Sequence, residues 1–486
     1  MNLARLLLPA LRWDSKTGYE GMRARIERGL ELGVGGFILF LGEAQRVREL
    51  TEELHSRAMY PLLIASDLER GAGQQFRGAT PLPPAGALGS LNDVEVTRRA
   101  GEITAYDARA LGINWVYAPV ADADIEPENP IIGTRAFGRT PHRTAEHVAA
   151  WIEGCRAGGA LSCAKHFPGH GRTTGDSHIE KPIVTASREE LEVDLEPFRA
   201  AISAGVDSMM TAHVAYPALD PECHAATLSK PILRGLLREE LGYDGLIVTD
   251  AIVMDGLTEN RNEAEASVAA VAAGCTMLLY PQDTEAIIRE LEAALQDGRL
   301  TEARIAEALG RVEIAANKVA GPPRGVWGRE RDLRWALMTA VRTLRVVRGN
   351  PALPQDPVRV IEIDDDIGGP WPAYPRSAFP AALGHAGIEL ANDGNPIISL
   401  YSDIRAWKGR PGISQQAQAR VREVLQVHPN APVILFGPPR LAADVPDARH
   451  VLAAWGGEAL MQEASVAWLL GTTSGLPTLV AGGLDR

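Results

Sequence analysis

The chain has 486 residues, too many for one ordinary hydrophobic core, so we expect roughly two domains. Hydrophobic residues make up 45% and charged residues 23% of it, a composition typical of globular proteins in water. The net charge of −13, with no basic block to offset it, argues against nucleic acid and anionic membranes as partners. The four cysteines form no C-x-x-C pair, so we expect neither a zinc site nor a disulfide framework, and a reducing cytosol fits.

The beginning of the chain contains only a short apolar run, which is interrupted by Pro9 and Arg12. A run of this length is too short for the core of a signal peptide or for a membrane span. We therefore expect the first strand of a barrel here, no membrane association and a cytoplasmic location.

Short apolar runs alternate with helix-length segments through the first two-thirds of the chain. Continuous apolar runs are typical of strands that are buried on both faces of a sheet. Eight such strands over roughly 300 residues predict a (β/α)8 barrel, with the active site where the strands end and the next loops begin. The predicted strands are residues 3–9, 34–41, 62–66, 113–119, 160–164, 206–211, 245–249 and 276–280, and the helices between them include 21–32, 93–111, 142–157, 188–204 and 263–273.

After a predicted helix at 302–318, the glycine- and proline-rich segment 321–328 breaks the alternation and indicates a linker, followed by a helix-like run to Val347. A second α/β pattern then predicts a smaller αβα sandwich with a parallel sheet. It contains no G-x-G-x-x-G loop, so its default role is structural. Its predicted strands are 358–363, 397–401 and 433–436, with a helix at 414–427. The expected domains are a catalytic barrel at 1–320, a linker and connecting helix at 321–350, and the αβα sandwich at 351–486.

Carboxylates stand at the ends of two predicted barrel strands. Asp250 closes the run G-L-I-V-T-D, and Asp67 closes L-L-I-A-S-D. A carboxylate in this position points into the mouth of a barrel, where it acts on or binds substrate, although it can also cap the next helix. Glu69 and Arg70, which follow closely, can pair with each other.

The run from Lys165 to His178, K-H-F-P-G-H-G-R-T-T-G-D-S-H, follows directly on another apolar strand. Asp176, two residues before His178, can orient the imidazole and favour its protonated form; the alternative is a solvated loop histidine. Lys165 can donate hydrogen bonds to substrate hydroxyls or form an ion pair inside the barrel. We interpret His170 as structural.

Arg135 lies in N-P-I-I-G-T-R-A-F-G, a long loop after the fourth strand, from which it can reach the same mouth or remain an exposed structural residue. Carboxylates, histidines, a lysine and an arginine on one face of a barrel suit a polar substrate with many hydroxyl groups. The sequence contains no nucleotide loop, metal triad or reactive cysteine motif. We therefore expect no cofactor and no metal, and neither redox nor phosphoryl chemistry.

The pattern K-H-F-P-G-H-G-x-T-x-x-D-S-H resembles the signature of glycoside hydrolase family 3, in its β-N-acetylglucosaminidase branch. The resemblance includes the D-x-E segment at Asp67, the N-P-x-I-G-x-R-x-F-G loop and the strand ending at Asp250. It covers most of residues 1–320 and, more loosely, the sandwich of two-domain relatives. It implies that Asp250 is the nucleophile and that His178, assisted by Asp176, is the acid/base. It also implies a set of residues that bind the sugar in the −1 subsite: Asp67, Arg135, Lys165 and His166.

The activity implied by the resemblance is that of a retaining exo-β-N-acetylglucosaminidase. Such an enzyme removes terminal N-acetylglucosamine (GlcNAc) from cell-wall fragments or chitooligosaccharides through a covalent glycosyl-aspartate intermediate. The chain departs from many relatives at Gln75, which stands where they carry an arginine in D-Q-E-G-G-x-x-x-R. This difference bears on a muropeptide substrate more than on hydrolysis itself. Ala251 follows the implied nucleophile in place of a second aspartate.

Three other functions stay open at this point. Phosphorolysis is a close variant, because a histidine acid/base does not repel an incoming phosphate as a carboxylate would. A β-glucosidase is less favoured, because family members with that activity generally lack the D-S-H segment and take their acid from the second domain. A non-catalytic sugar-binding protein would be expected to have lost Asp250 or His178, and both are present.

Overall fold

The computed structural model of the chain describes residues 1–258, 262–366, 374–404 and 406–471. Its first part is a curled parallel sheet with helices between the strands, and its last part is a smaller sheet with helices of its own. The predicted fold, a (β/α)8 barrel followed by a smaller αβα sandwich, is confirmed.

The barrel consists of two groups of paired strands. Strands β2 to β8 pair in chain order, each parallel to the next, and β1 pairs in parallel with β9. A bridge between Val248 and Met277 joins β8 to the residues that lead into β9. Nearly all strand residues are buried, as the continuous apolar runs predict. The strands are β1 Leu7–Leu8, β2 Ala10–Arg12, β3 Gly36–Phe40, β4 Leu63–Ser66, β5 Trp115–Val116, β6 Leu161–Phe167, β7 Ser208–Thr211, β8 Leu246–Val248 and β9 Leu278–Leu279.

The first strand begins later than predicted. Leu3–Leu6 forms a 3-10 turn, because the side chain of Asn2 accepts a hydrogen bond from the N–H of Ala4 and caps it. Pro9, which has no N–H to donate, separates β1 from β2. The run predicted at residues 3–9 is therefore one turn followed by two short strands that pair with different partners.

The predicted helix at 188–204 is two helices in the structure. Pro197 lies in the first turn of the second helix and has no N–H with which to continue the first.

The helices of this part are α1 Arg23–Leu32, α2 Ala44–Arg57, α3 Ala85–Ser90, α4 Val94–Ala110, α5 Pro141–Gly158, α6 Arg188–Asp194, α7 Glu196–Ser203, α8 Asp255–Thr258, α9 Glu263–Ala273, α10 Thr284–Gln296, α11 Glu302–Lys318 and α12 Glu330–Thr343, with a π-helix at Pro231–Glu240. Within the described ranges, no helix combines the length and apolarity needed to cross a membrane.

The smaller sheet has the strand order β10-β14-β13-β12-β11. Its strands are parallel except at one edge, where β10 pairs antiparallel with β14. The helix-like run expected to reach Val347 ends at Thr343, and the R-V-V-R segment after it forms β10, as its adjacent β-branched residues favour. The elements are β10 Arg345–Arg348, β11 Val358–Asp364, β12 Asn395–Tyr401, β13 Val433–Phe436, β14 Val451–Ala453, α13 Ala378–His385, α14 Gln415–Val427 and α15 Ala459–Leu469.

Candidate active site

The residues singled out from the sequence meet at the carboxyl ends of the barrel strands. Asp67 directly follows β4, Lys165 and His166 lie near the end of β6, and Asp250 follows β8 after one intervening residue. Arg135 ends a 3-10 turn in the loop after β5. Because all these strands are parallel, their ends lie on one rim of the barrel, and the side chains share one mouth.

Glu69 holds two of the cationic candidates together. Its carboxylate accepts hydrogen bonds from Arg135 Nε and Nη2 at 2.9 and 2.8 Å, and its Oε1 lies 2.8 Å from Lys165 Nζ. Lys165 also donates to Asp67 Oδ1 at 2.7 Å. Glu69 thus pairs with these two cations rather than with its neighbour Arg70. The side chain of Asp67 stays 30% exposed, which leaves it accessible to the hydroxyls of a ligand.

The charges in this cluster stabilise one another. Burial by itself would raise the pKa of Glu69, but the charges and hydrogen bonds of Arg135 and Lys165 outweigh it and hold this pKa well below its usual range. Burial would lower the pKa of Lys165, yet the charges of Asp67 and Glu69 keep it raised. Glu69 and Lys165 are therefore ionised, and their hydrogen bonds hold the cluster in place before any ligand enters.

His166 is held by Asp122, a residue that the sequence reasoning missed. Asp122 Oδ2 lies 2.7 Å from His166 Nδ1 and accepts the backbone N–H of the same residue at 3.1 Å. Burial would raise the pKa of Asp122, but His166 and His170 outweigh it, so that this pKa is lowered. Asp122 follows β5 by a few residues, and the search for carboxylates near strand ends would have found it there.

Asp250 is a half-buried carboxylate surrounded by histidines. Its Oδ1 accepts the N–H of Ala251 at 2.8 Å. Burial alone would raise the pKa of Asp250, but the neighbouring imidazoles of His166, His213 and His178, together with the Ala251 N–H, lower it to about 2. The carboxylate is thus ionised at neutral pH, the form in which it can attack an electrophilic carbon.

His213 was also missed from the sequence, although it lies two residues after the end of β7. It is fully buried, and burial lowers its pKa. Its Nε2 lies 3.1 Å from the carbonyl oxygen of Ala251, and its Nδ1 lies 2.7 Å from Thr227 Oγ1. His213 therefore fixes the backbone directly after Asp250.

His178 and Asp176 form a hydrogen-bonded pair in the loop after β6. Asp176 Oδ1 lies 2.7 Å from His178 Nδ1 and accepts the His178 backbone N–H at 2.9 Å. Its second oxygen, Oδ2, accepts the backbone N–H of Trp407 at 2.7 Å. Burial would raise the pKa of Asp176, but these hydrogen bonds and the charge of His178 outweigh burial and lower it. An ionised carboxylate thus faces Nδ1 of the ring and leaves Nε2 for proton exchange.

His170 belongs to the same loop as His178 but is buried. Its ring nitrogens lie 2.7 Å from Thr173 Oγ1 and 2.9 Å from Ser177 Oγ. Burial lowers the pKa of His170 to about 4, so the ring is neutral at pH 7. These contacts fit its interpretation as a structural residue. Across the described parts of the chain, no group of three or more His, Cys, Asp or Glu side chains is placed to hold a metal ion.

The sequence matches the family model of the glycosyl hydrolase family 3 N-terminal domain over residues 25–315. It is 35% identical over 310 residues to a β-N-acetylglucosaminidase/β-glucosidase of Cellulomonas fimi, a match that covers 62% of this chain and 54% of that protein. The chain thus spans about half the length of this relative. It is 37% identical over 274 residues to a β-hexosaminidase of Nitrosomonas eutropha, covering 54% of this chain and 78% of the relative.

Solved structures resemble both parts of the molecule. A glycoside hydrolase family 3 β-N-acetylglucosaminidase from Paenibacillus sp. str. FPU-7 is similar with a TM-score of 0.82 and 28% identity, over 96% of this chain and 95% of that one. A β-glucoside phosphorylase shares the fold, with a TM-score of 0.84 at 22% identity, over 97% of this chain and 91% of that one. The family model alone covers more than half of the sequence, and the chain belongs to glycoside hydrolase family 3.

Proposed function

We propose that this glycoside hydrolase is a retaining exo-β-N-acetylglucosaminidase that removes terminal GlcNAc from cell-wall fragments or chitooligosaccharides. The observation that carries the proposal is the pairing of Asp176 with His178 close to the ionised carboxylate of Asp250. The names of the Cellulomonas and Nitrosomonas relatives support the same class of sugar. In our proposal the terminal sugar is held by four residues of the mouth: Asp67, Arg135, Lys165 and His166.

In the first step, Asp250 attacks the anomeric carbon and the bond to the leaving oxygen breaks. The leaving oxygen takes a proton from His178 Nε2 as this bond breaks. Asp176, bonded to Nδ1, fixes the ring and stabilises its charged form before the transfer. The products are a glycosyl ester of Asp250 and the free aglycone.

In the second step, His178 is neutral and acts as a base. It takes a proton from a water molecule, whose oxygen attacks the anomeric carbon and displaces the carboxylate of Asp250. Two inversions at the same carbon retain its configuration. The low pKa of Asp250 suits both steps. A weakly basic carboxylate is ionised for the attack in the first step and leaves readily in the second.

The experiment compares hydrolysis of 4-nitrophenyl β-GlcNAc and 4-nitrophenyl β-glucoside by the wild type and by Asp250→Ala. We expect activity on the GlcNAc substrate, lost in the variant, while its melting temperature stays near that of the wild type. Absence of activity on the GlcNAc substrate would refute the proposed substrate class. Equal activity of the two proteins would refute the role of Asp250.

The same assay is run with and without inorganic phosphate. The Cellulomonas relative is named for both sugars, so the glucoside is needed as a second substrate. Hydrolysis predicts that phosphate leaves the rate and the products unchanged. A phosphate-dependent rate that yields a sugar 1-phosphate would replace hydrolysis by phosphorolysis.

A further inference from the structure

A loop of the smaller α/β unit reaches the acid/base pair of the barrel. We call the described residues 402–404 and 406–410, which follow β12, the β12 loop. The chain between β6 and α6, which carries His178 and Asp176, is fully described and contains neither helix nor strand. Besides the hydrogen bonds that His170 makes with Thr173 and Ser177 inside this segment, its conformation depends on contacts with other parts of the molecule.

The β12 loop is anchored to its own sheet by a buried lysine. The side chain of Lys408 is 1% exposed, and its Nζ donates to Ser402 Oγ at 2.9 Å, to the Asp403 carbonyl at 2.8 Å and to Asp366 Oδ1 at 3.3 Å. A buried cation with three acceptors holds the loop backbone in one conformation, because moving it would leave a charge unpaired.

The same loop is attached to the barrel on its other side. Asp403 accepts hydrogen bonds from Thr134 Oγ1 at 3.0 Å and from Arg70 Nη2 at 3.1 Å. Ile404 lies over Gly133, where a Cβ atom would come within 2.7 Å of the isoleucine Cδ1. Gly133 also has a φ of +43°, so both the space and the backbone conformation at this position favour glycine.

Trp407, between these anchors, makes two contacts with the acid/base pair. Its backbone N–H donates to Asp176 Oδ2 at 2.7 Å, on the opposite side of the carboxylate from His178. Its indole ring lies 4.3 Å from the imidazole of His178 between centroids, with the planes at 55°. The N–H fixes the carboxylate, and the indole limits the rotation of the imidazole that the carboxylate holds.

We propose that Trp407 is a positioning residue for His178 and Asp176, supplied by the smaller α/β unit to the barrel. The inference rests on the proposed function, since it concerns how that acid/base is oriented. The indole keeps His178 Nε2 directed to the leaving oxygen, and the backbone N–H keeps Asp176 in register with Nδ1. The smaller unit thus takes part in proton transfer without a side chain of its own acting as the acid.

The test uses Trp407→Gly, Trp407→Phe and a matched control, Trp455→Gly. Trp407 has a φ of +62°, so glycine removes the indole while keeping the N–H and the backbone conformation. Trp455 is also a partly buried tryptophan of the smaller unit, with a φ of +66°. Its ring lies close to Gly86 of the barrel and its Nε1–H donates to the Thr343 carbonyl, so these contacts involve neither His178 nor Asp176.

Two substrates separate proton transfer from other effects. The value of kcat/KM reports the first step, in which methyl β-GlcNAc needs an acid for its leaving oxygen and 2,4-dinitrophenyl β-GlcNAc does not. General acid catalysis contributes roughly 100-fold or more, so we expect Trp407→Gly to lower kcat/KM for the methyl glycoside by about 10- to 100-fold. For the dinitrophenyl glycoside we expect a change of less than about threefold, because its departure needs no proton. Trp407→Phe should restore most of the loss, and Trp455→Gly should leave the ratio of the two values unchanged.

Several results would overturn the proposal. An equal loss on both substrates would indicate a general structural role, and an unchanged ratio would show that the indole does not orient the acid. If Trp455→Gly shifted the ratio as much as Trp407→Gly does, the effect would not be specific to Trp407. Melting temperatures of the variants identify any that fail to fold, and Trp407→Asn, which also removes the indole and tolerates a positive φ, then takes the place of Trp407→Gly.

A second measurement needs no substrate. Diethyl pyrocarbonate modifies neutral imidazoles, and mass spectrometry of the digest gives the rate at His178, whose side chain is 20% exposed. We expect modification several-fold faster in Trp407→Gly than in the wild type or Trp455→Gly. Equal rates would refute the contact itself. If the wild type hydrolyses no GlcNAc glycoside, the proposed function fails while this measurement still decides whether Trp407 covers His178.

Discussion

Asp176 Oδ1 lies 2.7 Å from His178 Nδ1, and the other oxygen of the same carboxylate is held by the backbone N–H of Trp407. The carboxylate therefore connects the histidine to a loop that belongs to a different sheet. This connection couples the geometry of the barrel mouth to the position of the smaller α/β unit.

Replacing Asp176 by alanine should lower kcat with little change in KM. The imidazolium of His178 then loses the charge that stabilises it, while the residues proposed to bind the sugar are untouched. We expect a fall in kcat of about 10- to 100-fold, measured with methyl β-GlcNAc. Asp176→Asn, which keeps the shape but not the charge, should lose nearly as much. A kcat equal to that of the wild type in both variants would exclude a role for the pair.

Replacing Glu69 by glutamine should weaken substrate binding. Arg135 and Lys165 would lose a shared counter-charge, and one charge-assisted hydrogen bond corresponds to about a tenfold change in KM. The measurement is KM for 4-nitrophenyl β-GlcNAc alongside the melting temperature. Glu49→Gln, an exposed glutamate that pairs with Arg46 on α2, serves as the control and should change neither value. An unchanged KM in Glu69→Gln would show that the cluster does not contact the sugar.

The low pKa of Asp250 predicts how the first step depends on pH. Because the pKa is lowered to about 2, the ionised form persists at every pH above this value and is lost only as the pH falls through it. The kcat/KM for 2,4-dinitrophenyl β-GlcNAc, which needs no acid, should therefore be flat between about pH 4 and 7. A decline with a midpoint inside this interval, in protein that remains folded, would contradict the low pKa.

Because His170 is buried in its neutral form, its contribution to the stability of the folded protein should depend on pH. Its pKa in the folded protein is about 4, below the usual value of about 6.5 in unfolded chains. The unfolded state thus binds more protons between these values, so this contribution is complete above about pH 6.5 and is lost as the pH falls toward 4. The loss amounts to roughly 3 kcal/mol. The melting temperature of His170→Gln should depend less on pH in this interval than that of the wild type, and an identical dependence would refute the assignment.

The order of the barrel strands was predictable because each strand is a continuous apolar run, and such runs mark strands that are buried on both faces. The predicted elements were wrong where a side-chain cap, a proline or a distant pairing partner determined the local structure. The side chain of Asn2 turned residues 3–6 into a 3-10 helix, and Pro197 divided one predicted helix into two. Strand β10 depends on pairing with β14, which is distant in the sequence, and a local pattern cannot indicate such a partner.

In the candidate site, Asp67, Lys165 and Asp250 were predictable from their positions at strand ends, because parallel strands bring their ends to one rim. His213 and Asp122 also follow barrel strands and were predictable on the same ground. By contrast, Trp407 carries no local signal, since it reaches the barrel only through the packing of two separate sheets. Tertiary contacts of this kind cannot be predicted from the local patterns of a single sequence.

The proposed mechanism requires Asp250 to act as the nucleophile. The direct measurement is to inactivate the wild type with 5-fluoro-β-GlcNAc fluoride, which forms the glycosyl ester but slows its hydrolysis, and to locate the label by peptide mass spectrometry. We predict one fluoro-sugar per chain, attached to Asp250, and no labelling of Asp250→Ala. A label on another carboxylate, or continued hydrolysis of 4-nitrophenyl β-GlcNAc by Asp250→Ala, would contradict the account.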